Sequence, residues 1–464
     1  MDVFDAPGEP VTVRAPAGTV TGRRTGRVRR FLGIPYAETP TGARRFAAPV
    51  RRGRFTEPFD ASRHGATAQT VPLFETISVP EPSVPGEDVL NLALVAPAEG
   101  DDREPCPVMV WIHGGGFLAG SPASPWYDGR AFARDGVVCV TVGYRLGVDG
   151  FAPLEDVPPN LGLRDLLLAL DWVQDNIAAF GGDPDRVTVA GQSAGGGAVL
   201  ALLSSPAGRG RFHRAVSLSG GTFEVGGDAA RDFLGRLGHR LGVPPTRAGF
   251  AGRTVGHIQQ GVIDLRDELG EDALVLGPFV GDDLLPVSIA DGLRAHGRGV
   301  PLLLGATGDE FDGGDATREA GTGTAGTREA GTRVTDTLFR AACPRVAASR
   351  RDAPAGTWLY SFEWPSPVLG GATHCIDIPF FFDVLDAPGV PEALGPNPPV
   401  ELATFMHADL VGFVRGRAPA WARATGTPGD PAREYGSPGA AFTADTTGVF
   451  DPVVRSESEV TEAC

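Results

Sequence analysis

The sequence predicts a doubly wound α/β fold, a large and mostly parallel sheet with helices on both faces. Three observations carry this expectation. Residues 108–112 and 137–142 are continuous apolar runs of strand length, the pattern of strands covered on both faces. Residues 162–180 place Leu163, Leu166, Leu167, Leu170, Val173 and Ile177 at helical spacing and close on Gly181-Gly182-Asp183-Pro184, a helix that packs and carries no chemistry. Residues 187–190 are of strand composition and run into Gly191-Gln192-Ser193-Ala194-Gly195. A segment of small residues and leucines follows. That is a strand, a sharp turn and a helix.

Taken in order, the first 60 residues read as short antiparallel strands: Val11-Thr-Val, then residues 18–22, then 28–34, with glycines at hairpin-like intervals. Residues 66–88 carry Pro72, Pro80, Pro82 and Pro85, which deny regular structure and predict a surface loop. After the two buried strands, further strands are expected at 215–218, 301–304 and 357–362. Residues 312–333 are rich in Gly, Thr and Ala and contain Thr-Arg-Glu-Ala-Gly-Thr twice, at 317–322 and 327–332. Two copies are too few for a solenoid, so the segment reads as a flexible surface loop within one domain spanning 1–464.

Composition narrows the function classes. No apolar run approaches the roughly 18 residues that a membrane span needs, and a net charge of −16 disfavours nucleic acid or an anionic membrane as partner. All 41 basic residues are arginine, beside 65 glycines and 41 prolines, as a GC-rich genome would encode. Cys106, Cys139, Cys343, Cys375 and Cys464 lack metal-site or disulfide-framework spacing. The N-terminus, MDVFDAPGEP, has no basic start or apolar stretch of a signal peptide, so a cytoplasmic location is expected. No oligomeric state follows from the sequence.

The strand–turn–helix at Ser193 points to nucleophilic catalysis. Such a turn strains its central residue, needs small neighbours at Gly191 and Gly195, and lifts the hydroxyl above the sheet edge, exposed to substrate. A serine alcohol is a poor nucleophile at neutral pH and needs a base, which in turn needs a third group to set its tautomer. Among eight histidines, His374 stands out in a glycine-rich turn after a strand, late in the chain; α/β-hydrolases order these groups as serine, acid, histidine. His407 lies in a helical segment and reads as structural. The acid belongs just after the strand at 301–304, where Asp309, Glu310 and Asp312 are all candidates. Trp111-Ile-His-Gly-Gly-Gly-Phe117 directly follows a buried strand, and its bare backbone amides suit an oxyanion hole together with the Ala194 N–H; His113 reads as a residue that orders this loop.

These residues resemble the type-B carboxylesterases, an α/β-hydrolase family that includes p-nitrobenzyl esterases, cholinesterases and non-catalytic adhesion relatives. Phe31-Leu-Gly-Ile-Pro-Tyr-Ala37, Gly42, Arg45-Phe46, Gly86-Glu-Asp-Val-Leu90, His113-Gly-Gly-Gly-Phe117, Tyr144-Arg-Leu-Gly147, Asn160-Leu-Gly-Leu163, the 176–184 block and Gly191 to Gly196 occur in family order. Recognisable blocks run from about residue 11 to about residue 425. The resemblance implies a Ser193, Glu310, His374 triad, with Glu310 chosen over Asp309. It also implies oxyanion donors at Gly115, Gly116 and Ala194, and needs no cofactor or metal. The family's early cysteine pair would fall at Thr67 and Val89, neither a cysteine. Gln192 replaces the commoner glutamate before the serine, which weakens any inference of cationic substrates. The segment between Glu310 and His374 is shorter than usual, which predicts a shortened lid and a more open pocket. The expected activity is hydrolysis of small to medium uncharged esters. An acyltransferase, lactone-forming cyclase or amidase with the same triad is the alternative, and a silent binding module the second; the latter typically lose the serine, which is present here.

Overall fold

The apolar runs form strands because both of their faces are covered. In β6 (Cys106–Ile112), Val108, Val110 and Ile112 enter one core while Met109 and Trp111 enter the other. The computed structural model describes residues 6, 8–68, 79–98, 104–269, 276–311, 335–437 and 442–452. β6 lies between β7 (Val138–Val142) and β8 (Gly182–Gln192), both parallel to it. Parallel pairing continues through β9 (Arg214–Leu218), β10 (Leu302–Thr307), β11 (Thr357–Phe362) and β12 (Pro431–Tyr435). β13 (Thr443–Thr447) closes this edge antiparallel to β12.

The expected antiparallel entry is present as β1 (Glu9–Ala15), β2 (Gly18–Thr25) and β3 (Val28–Pro35). The short β4 (Phe59–Asp60) pairs with β2. Sequence reading missed β5 (Asn91–Pro97), which joins this entry to the main sheet by pairing antiparallel with both β3 and β7. It missed β12 and β13 as well. β12 buries only Ala432 and Tyr435, three positions apart, and β13 buries none of its residues, so neither shows the alternating apolar period of a strand.

The predicted helix runs Leu161–Asn176 and tightens into a 3₁₀ turn, Ile177–Phe180. It packs on the same face as the helix after Ser193, Ala194–Ser204, while Ile378–Phe382 and Val400–Val414 cover the opposite face. Two amphipathic helices, Gly227–Leu241 and Val255–Leu269, were not predicted. Among the described residues no helix is long and apolar enough to cross a membrane. The low-complexity segment 312–333, which fills part of the expected short lid between Glu310 and His374, lies outside the described residues. Cys139, Cys343 and Cys375 are free thiols.

Candidate active site

The C-terminal ends of β6, β8, β10 and β11 bring the candidate residues together: Gly115 and Gly116 follow β6, Ser193 follows β8, Glu310 follows β10 and His374 follows β11. Ligand sites of open α/β sheets form at this edge.

Ser193 sits at φ 56°, ψ −125°, a strained conformation costing on the order of 1–3 kcal/mol. Its surroundings enforce the turn. Its N–H donates to the Leu218 carbonyl at 2.9 Å and its carbonyl accepts from the Gly197 N–H at 2.9 Å. A Cβ on Gly191 would lie 2.5 Å from the Gly195 backbone, and one on Gly195 would strike the Ile112 carbonyl oxygen, so neither position admits a side chain. Ser193 as a whole residue is 9% exposed. The glycine loop packs onto it, since a Cβ on Gly114 would lie 3.0 Å from the serine Cβ.

Glu310, 2% exposed, divides its carboxylate between two partners. Oε1 accepts the Thr307 N–H at 2.8 Å and Oε2 pairs with Nδ1 of His374. The His374 backbone N–H donates to the Glu310 carbonyl at 2.7 Å, which ties the two loops together. Asp309 points elsewhere, its Oδ2 accepting the Ala372 N–H at 2.7 Å, so it braces the histidine loop without touching the ring. Asp312 lies outside the described residues. Nε2 of His374 lies 3.2 Å from the Gln192 side-chain nitrogen. Among the described residues, no hydrogen bond joins Ser193 Oγ to His374.

Two aromatic rings pack on the imidazole: Phe311 with centroids 4.7 Å apart and Phe339 at 5.0 Å. Burial pulls the His374 pKa down, but the neighbouring Cys375 thiol and Glu310 carboxylate outweigh it and raise it above the ordinary histidine value. Asp377, fully buried and accepting a hydrogen bond from the Tyr360 hydroxyl at 2.9 Å, is pushed up to about 7 by burial and the Glu310 charge. Sequence reading gave no role to Phe311 or Phe339. Adjacency to Glu310 was the only signal for Phe311.

In the glycine loop, Gly115 (φ 111°) and Gly116 (φ 61°) take backbone conformations that side chains disfavour. The Gly115 carbonyl accepts the Leu118 and Ala119 N–H groups at 3.0 and 2.9 Å, which curls the loop. The N–H groups of Gly115, Gly116 and Ala194 donate none of the described hydrogen bonds, and Ala194, as first residue of its helix, has no intrahelical acceptor. His113 is loop-bound: Nδ1 lies 2.8 Å from the Gly114 carbonyl, the ring stacks on Tyr144 at 4.6 Å, and burial lowers its pKa to about 4. His407 is held by the Phe381 carbonyl and Asp135, away from Ser193. Among the described residues no cluster of His, Cys, Asp and Glu is set to hold a metal ion.

The carboxylesterase family model matches residues 9–320. This chain belongs to the carboxylesterase family. As a carboxylesterase it is 34% identical over 410 residues to the para-nitrobenzyl esterase of Bacillus subtilis (strain 168), covering 80% of this chain and 82% of that protein. It is 32% identical over 450 residues to the phenmedipham hydrolase of Pseudarthrobacter oxydans, covering 83% and 86%. Its fold is that of a solved thermophilic PNB esterase, with TM-score 0.83 and 27% identity over 96% of this chain and 99% of that one. A Geobacillus stearothermophilus carboxylesterase structure matches with TM-score 0.80 and 29% identity over 96% and 99%. The carboxylesterase is therefore an α/β-hydrolase and a serine hydrolase of carboxylic esters.

Proposed function

We propose that this carboxylesterase cleaves small to medium uncharged esters through an acyl-enzyme formed on Ser193. Ser193 Oγ attacks the ester carbonyl as its proton passes to Nε2 of His374, with Glu310 holding Nδ1–H and stabilising the imidazolium. The tetrahedral oxyanion is received by the N–H groups of Gly115, Gly116 and Ala194. On collapse the carbon–oxygen bond to the alcohol breaks, and the imidazolium returns its proton to the leaving oxygen. A water then repeats the sequence and releases the acid. The absent Ser193–His374 hydrogen bond is compatible with this, because such bonds often tighten only in the substrate complex.

The observation that carries the reading is the convergence, at one sheet edge, of a strained serine, a carboxylate-paired imidazole and three N–H groups with no described acceptor. The unbroken strand path supports a single domain spanning 1–464. The free thiols of Cys139, Cys343 and Cys375 support a reducing, cytoplasmic location. A chain-length series of p-nitrophenyl esters tests the assignment: the wild type favours short to medium acyl chains, and Ser193→Ala loses about 10⁴-fold or more in kcat. Equal rates in the two proteins overturn the nucleophile.

A further inference from the structure

His374 has one lone pair with which to act as a base, on Nε2, because Nδ1 is committed to Glu310. The hydrogen bond at Nε2 comes from Gln192, whose side-chain nitrogen lies 3.2 Å away. Gln192 is 1% exposed, and its carboxamide oxygen packs against the glycine loop, where a Cβ on Gly114 would lie 2.8 Å from it. With Nδ1–H directed at the carboxylate, Nε2 only accepts and the Gln192 amide donates.

We propose that Gln192 is a positioning residue for the base, its amide N–H holding Nε2 of His374 in the resting enzyme, favouring the uncharged imidazole, and yielding that lone pair to the Ser193 hydroxyl when an ester enters. This rests on the assignment of His374 as base.

The physical reason is the sign of the charge on the neighbour. The groups facing the ring are Gln192 from the elbow, Glu310 and Phe311 after β10, Phe339 from the segment before Ala342–Ser349, and Cys375 and Asp377 on its own loop. Glu310 already favours the charged ring from the Nδ1 side. A glutamate in place of Gln192 would set a second anion beside the ring and favour the imidazolium further, so that the base would be lost at a higher pH. A donated hydrogen bond does the opposite, since it stabilises the uncharged form. The neutral residue before the serine therefore offsets the pull of Glu310 and keeps the lone pair available at lower pH.

The test is the acid limb of kcat/KM, which reports the free enzyme, for Gln192→Glu and for Gln192→Met, a neutral side chain of similar length without the donor. The limb moves up by about one pH unit or more in the glutamate variant and by less in the methionine variant. One unit below the wild-type midpoint, the glutamate variant should fall further below its own plateau than the wild type by roughly tenfold. Wild-type midpoints in both variants, whatever happens to the plateau, overturn the proposal and leave Gln192 a space-filling residue. His374→Ala separates the two readings: activity surviving in that variant removes the base assignment itself, whereas loss of activity there with unmoved limbs removes only the role of Gln192.

Discussion

At the scale of single residues, the site turns on which of two adjacent carboxylates reaches the imidazole. Glu310 pairs with Nδ1, while Asp309 accepts the Ala372 N–H and steadies the loop that carries His374. Removing charge at the two positions should therefore have different consequences. Glu310→Gln is expected to lower kcat by about 10³-fold or more, because the wrong tautomer is then held. Asp309→Asn should keep activity within a few fold and lower stability by about 1 kcal/mol, the worth of one hydrogen bond. Steady-state kinetics beside urea denaturation distinguish them, and a larger activity loss at Asp309 would reverse the assignment.

At the scale of elements, the elbow works because the helix Ala194–Ser204 starts hard against the end of β6. Gly195 makes that approach possible, its missing side chain leaving room for the Ile112 and His113 carbonyls. Gly195→Ala must push the helix away from β6, carrying Ser193 and the Ala194 N–H with it. A displacement near 1 Å costs about 10²-fold in rate, and the overpacking about 1–3 kcal/mol. Both losses should appear together, as a lower kcat and a lower urea midpoint. An unchanged kcat in a destabilised protein would mean that the elbow geometry tolerates the shift. Gly191, facing Gly195 across the turn, is under the same restriction, so the small residues of the pattern have a packing cause on both sides.

At the scale of the whole molecule, the antiparallel entry and the parallel sheet must be held in one register, and a buried ion pair does part of this. Arg145, just after β7, donates to Asp165 on the helix Leu161–Asn176 at 2.8 and 2.7 Å, and its third nitrogen reaches the Ala47 carbonyl of the entry region at 2.8 Å. Burial raises the Asp165 pKa while Arg145 lowers it. Arg145→Met removes the compensation and strands a buried carboxylate, for an expected loss of about 3–5 kcal/mol in a urea melt. The double variant Arg145→Met, Asp165→Leu should recover much of that loss, since an apolar pair replaces the charges. A double variant no better than the single one would show that the pair itself, not relief of a lone charge, stabilises the protein.

Much of the fold and the candidate site is legible in the sequence, and the reason is range. The elbow, the glycine loop and the buried strands depend on residues within a few positions of one another, so backbone sterics and apolar runs determine them locally. Glu310 is a different case: the residues alone left it level with Asp309, and family resemblance singled it out. Tertiary structure then decided what depends on contacts between distant segments. It placed β5 between β3 and β7, built the edge of β12 and β13, and packed the glycine loop against Ser193. It packed Phe311 and Phe339 on His374, and it put the Gln192 amide on Nε2 across a separation of 182 positions. Sequence patterns encode which groups are present at this edge. Only the packed chain sets which of them touch, because side-chain pairing across a sheet leaves no local period to read.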